Sequence, residues 1–124
     1  MLVKLHLWSA WVGVLAGMLS GAAMGLLFHP DDWLGGYNSW PRRMLRLGHI
    51  SFFGIAFLNF AFVATVIVAA KPLYEWASPM LIAGAILMPT VCALAAWKKP
   101  LRHLFPLPVI RLASAVSIIV WQGF

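Results

Sequence analysis

Four apolar stretches constrain this chain more than anything else in it: Leu5 to Phe28, Gly48 to Ala70, Trp76 to Trp97 and Leu104 to Trp121. Each is close to the roughly 20 residues a helix needs to cross about 30 Å of hydrocarbon. Together they occupy most of the 124 residues, so little chain remains for an extramembrane domain. The composition agrees, with 63% hydrophobic and only 10% charged residues and a mean hydropathy of +0.91. That balance lies outside soluble globular domains and outside disordered chains. One cysteine cannot form an intrachain disulfide or a cysteine-rich metal cluster. Without water to satisfy the backbone, and without ten-residue segments of alternating polarity, helices are the expected spanning elements and a β-barrel is not.

The reading is therefore an all-α, polytopic membrane protein, a single domain over 1–124 with four transmembrane helices in an up-down bundle. The connections carry turn formers: His29-Pro30-Asp31-Asp32, Gly35-Gly36 and Pro41 in the first, Lys71-Pro72 in the second, Lys98-Lys99-Pro100 in the third. Lys and Arg resist translocation, so their distribution sets orientation. Arg42, Arg43 and Arg46 lie in the first connection and Lys98, Lys99 and Arg102 in the third, against Lys4 and Lys71 on the other side. Both termini are thus expected on the non-cytoplasmic side, in a bacterial inner membrane. The tryptophans fall into two belts, Trp8, Trp11, Trp76 and Trp121 at one set of ends and Trp33, Trp40 and Trp97 at the other. Read as a signal peptide, the first segment would end in Ser20-Gly21-Ala22-Ala23. Its apolar run exceeds the ~7 to 15 residues of a signal core, and a full span is expected.

Gly13, Gly17, Gly21 and Gly25 recur every fourth residue in the first span. Such a stripe has no side chains, so another backbone can come close. Helix packing is the expected use, and a flat groove for a cofactor, quinone or lipid tail is the alternative. Asn59 sits near the middle of the second span among five phenylalanines between Ser51 and Phe62. Its amide is expected to bond across to another helix, with Thr90 or a free carbonyl as partner.

His29, His49 and His103 fall near one face of the membrane, with His6 alone on the other. Neutral imidazoles ligate haem iron, and two at equal depth on different helices would suit a bis-His haem b. His49 with His29 is the pair to examine first, then His49 with His103; a non-haem metal on the same residues is a further alternative. Arg42, Arg43 and Arg46, with Lys98, Lys99 and Arg102, are expected to hold anionic headgroups or a partner subunit. Arg46 is also a candidate for a quinone headgroup or haem propionates, and Arg111 is a further cofactor candidate; it lies about two turns inside the fourth span and must snorkel or find an acceptor, with Asp31, Asp32 and lipid phosphate as the options. Copper on Met80, Met88 and Cys92 is not expected, since the two methionines are about 12 Å apart along a helix at ~1.5 Å per residue.

No Asp or Glu lies inside a span, so a buried carboxylate relay is lacking. The length and span number resemble small multidrug exporters and dimeric fluoride channels, but the former's acidic residue in the first helix and the latter's signature stretches are missing. The expected role is an accessory or anchor subunit of a respiratory or other electron-transfer membrane complex, binding haem b, quinone or lipid. A small homo-oligomeric channel or carrier is the alternative. Partners are expected to be lipids and other membrane subunits or further copies, and no nucleic acid.

Overall fold

The computed structural model describes residues 1–70 and 75–122. Among these the chain is all-helical: α1 spans Leu2–Leu27, α2 Trp40–Ala69, α3 Ala77–Trp97 and α4 Pro106–Gln122. Each of the four, with the 3-10 turn Lys99–Leu104 leading into the last, is long and apolar enough to cross a membrane. The expected stop at Lys71-Pro72 lies outside the described residues.

The second helix begins at Trp40, eight residues before the apolar run that announced it. The extra stretch, about two turns at 3.6 residues per turn, is where three arginines interrupt the apolar run. The start signal was nonetheless present, because the Ser39 side chain accepts the Arg42 amide N–H at 3.4 Å. Pro41 occupies the first turn, where a missing N–H costs nothing. Pro41 thus opens the helix instead of breaking the loop. Upstream, Leu34, Gly35 and Gly36 all take positive φ, at 54°, 89° and 94°. Gly35 and Gly36 accept this conformation without a Cβ penalty, and it turns the chain back toward α2.

Neighbours in sequence are neighbours in space: α1 packs on α2, α2 on α3 and α3 on α4, with a smaller α1 to α3 contact. The inner pair is α2 and α3. In their most apolar stretches 28% of residues are buried, against 11% in α1 and in the fourth span, so the outer helices present most of their surface outward. In water such exposure would be a liability; against lipid it is what a spanning helix requires. Phe62, Ala77, Leu81 and Ala115 form the core joining α2, α3 and α4, flanked by Leu58, Met80 and Leu112.

Three of the four stripe glycines face α2. A Cβ at Gly13 would lie 3.2 Å from both the Ala56 Cβ and the Phe52 carbonyl oxygen, one at Gly17 would meet the Phe53 ring at 2.7 Å, and one at Gly21 would meet His49 Cε1 at 2.8 Å. Among the described residues, a Cβ at Gly25 would meet nothing from another helix within 4 Å. The α2 to α3 contact is similarly close at Gly48, where a Cβ would lie 3.1 Å from that of Cys92. Pro89 lies inside α3, and the next residue, Thr90, hydrogen-bonds the Ile86 carbonyl at 2.6 Å through its hydroxyl.

Candidate functional site

The first turns of α2 carry Arg42, Arg46 and His49 along one side, at the three- and four-residue spacings that share a helix face. Arg42, expected among the headgroup-binding cations, is only 2% exposed. Its guanidinium donates to the carbonyls of Pro30 and Trp33 and lies over the Phe28 ring at 4.9 Å and the Trp33 ring at 5.9 Å. The physical reason is local: the Pro30 and Trp33 carbonyls each accept one backbone N–H, from Trp33 and Gly36, and one planar cation fills the second lone pair of both while stacking on aromatic faces. Arg42 is therefore a clasp on the loop, not a free surface charge. Arg46 donates to the Tyr37 carbonyl at 2.9 Å and lies 4.2 Å over the Tyr37 ring, while its Nη1 is buried without a partner among the described residues.

The remaining expected cations, Arg43, Lys98, Lys99 and Arg102, are exposed. The Trp40 indole donates to the Ala95 carbonyl at 2.7 Å, with Lys99 Nζ 5.3 Å and the Arg102 guanidinium 6.0 Å from its ring. Through Trp40 the basic residues of the first and third connections meet at one end of the molecule. Arg111 is exposed, as are Asp31 and Asp32, and among the described residues no ion pair joins them.

Next to this basic end, α1, α2 and α3 enclose a cleft of about 280 Å³. Met24, Leu27, Trp33, Met44, Phe52 and Cys92 contribute to its walls, and Ser20 and His49 supply its hydrophilic groups. His49 Nδ1 is 2.9 Å from Ser20 Oγ, and the Ser20 hydroxyl donates to the Gly17 carbonyl at 3.0 Å. Phe53 meets the imidazole edge-on at 5.4 Å. The ring fits there because Gly21 lacks a Cβ. Of the three imidazoles expected at one depth, His49 alone lines the cleft; His29 and His103 are exposed on the connections. Among the described residues no three His, Cys, Asp or Glu side chains come together as a metal set.

A second polar group was not anticipated. His6, expected to stand alone, is 0% exposed, with Nδ1 2.6 Å from Asn59 Oδ1 and Nε2 2.8 Å from Ser78 Oγ. Asn59, also 0% exposed, donates its amide N–H to the Ile55 carbonyl at 2.8 Å. That bond fixes Oδ1 toward His6, so Nδ1 carries the proton and Nε2 accepts from the Ser78 hydroxyl. One imidazole thus ties α1, α2 and α3 together, with the Phe62 ring centroid 4.2 Å from its own. The expected partner of Asn59, Thr90, is exposed and bonded to its own helix. Each of these polar residues was visible as an isolated interruption of an apolar span, but their meeting depends on cross-helix register. Compared with known proteins, the chain matches no family model, no curated relative and no solved structure.

Proposed function

We propose that this chain is a small multi-pass subunit of an electron-transfer membrane complex, binding a flat apolar ligand in the His49 cleft. The cleft carries the reading: its walls are apolar, one imidazole is held at its edge by Ser20, and it lies beside the basic end where a headgroup meets the membrane surface. In this account the four helices run up and down across a bacterial inner membrane, with the arginine-bearing end in the cytoplasm. Arg43, Lys98, Lys99 and Arg102 hold anionic headgroups or a partner subunit, and Gly25, open in front, leaves room for another helix. Haem b in place of a quinone would be held by His49, together with His29, His103 or an imidazole of a partner.

A homo-oligomeric channel with Asn59 facing a pore is less well supported, because both ends of the Asn59 amide are engaged inside the bundle. Purification in a lipid-preserving polymer, with identification of accompanying proteins and solvent-extracted small molecules, tests the proposal. The expected result is a larger assembly and a lipophilic ligand that is lost on His49→Phe. A lone monomer with nothing extractable, and no Soret absorption, would contradict it.

A further inference from the structure

Hydrogen-bond geometry around His49 sets what kind of group the cleft can recognise. Ser20 has a single hydroxyl proton and two neighbours that could take it, the Gly17 carbonyl at 3.0 Å and His49 Nδ1 at 2.9 Å. Two oxygens 3.0 Å apart repel unless a hydrogen lies between them, and a carbonyl oxygen has none to give. The Ser20 proton therefore points to Gly17, and its oxygen presents a lone pair to Nδ1. Nδ1 must then carry the imidazole hydrogen. A neutral imidazole has only one, so Nε2 is a bare acceptor. Among the described residues Nε2 has no hydrogen-bond partner, and it is not one of the unpartnered side-chain atoms sealed inside the protein.

Resting on the reading of the cleft as a ligand site, we propose that it binds an apolar ring headgroup through a hydroxyl that donates to His49 Nε2, favouring a hydroquinone over the corresponding quinone. A quinone offers only carbonyl acceptors, which face a bare lone pair unfavourably; its two-electron, two-proton reduced form offers hydroxyl donors. The size agrees. At about 280 Å³ the cleft is near the roughly 300 Å³ lower limit of small-ligand pockets, which suits a single ring with its tail left in lipid. Phe52 and Trp33 supply aromatic faces, and the Met24 and Met44 thioethers are polarisable neighbours for a ring.

The test uses the full chain in lipid nanodiscs and three probes: a decyl-substituted benzohydroquinone kept reduced, its quinone, and its bis-methyl ether. The hydroquinone is expected to bind about tenfold tighter than either the quinone or the ether, the worth of one good hydrogen bond. His49→Phe should abolish the difference. Ser20→Ala should shrink it, because Nδ1–H loses its acceptor and the ring is free to carry its hydrogen on Nε2. Nitrogen-15 NMR of the ligand-free wild type reads the tautomer without any variant and should show His49 protonated on Nδ1. Equal binding of hydroquinone and ether, with both lost on His49→Phe, would leave the cleft as a ligand site and overturn the acceptor role. Protonation on Nε2 in the free protein would overturn it as well. Binding of none of the three probes would remove the ligand site itself, and the acceptor role with it.

Discussion

Gly13→Leu is expected to destabilise the protein by about 1 to 3 kcal/mol or more, while Gly25→Leu, three turns further along the same stripe, changes stability by no more than about 0.5 kcal/mol. The contrast follows from what each glycine faces. At Gly13 a side chain meets the Phe52 backbone oxygen and the Ala56 Cβ, and neither can swing aside, so α1 and α2 must separate. At Gly17 the obstacle is the Phe53 ring, a side chain with rotamer freedom, and an intermediate loss is expected. At Gly25 nothing stands within 4 Å. Unfolding by added SDS, followed by circular dichroism, ranks the three variants. Equal losses at Gly13 and Gly25 would mean that the stripe packs against something other than α2.

Asn59→Leu is the second large effect, expected at about 1 to 2 kcal/mol. Interhelical hydrogen bonds measured in a membrane protein average about 0.6 and reach about 1.7 kcal/mol. Asn59 lies toward the upper end because its loss strands a buried donor, His6 Nδ1–H, where no water replaces it. The double variant His6→Phe with Asn59→Leu removes donor and acceptor together. It is expected to cost less than the two single changes added, since each single change leaves an orphan that the other removes. The same SDS titration gives the coupling; strict additivity would show that the two side chains do not interact.

The spans were legible because apolar length is a one-dimensional property of the sequence: Trp76 to Trp97 anticipates Ala77–Trp97 to within one residue. The early start of α2 was legible only as a capping signal, Ser39 with Pro41, and the arginines obscured it. Cross-helix meetings are a different kind of information. His49 fits its place because Gly21 faces it. Further along the same antiparallel pair of helices, His6 meets Asn59 and Phe62. Nothing in the spacing within either helix sets that register, so His6 reads as solitary, and although Asn59 does bond across to another helix as expected, its partner there is His6 and not Thr90. Arg42 misled for a related reason. A cation near a membrane surface defaults to solvent or lipid, and only the folded loop shows that Pro30 and Trp33 present carbonyls to it. Its neighbours Phe28 and Trp33 were the available hint, since a guanidinium stacks on such rings when it is withdrawn from water.

The proposed role requires four crossings that place the basic connections on one side of the membrane. Single-cysteine labelling in intact cells and inverted vesicles measures this directly, with the buried Cys92 changed to Ala. Asn38→Cys and Lys99→Cys, in the first and third connections, are expected to react with an impermeant maleimide from the cytoplasmic side alone, and Glu75→Cys from the opposite side alone. Labelling of Glu75→Cys from the same side as Asn38→Cys would contradict the account.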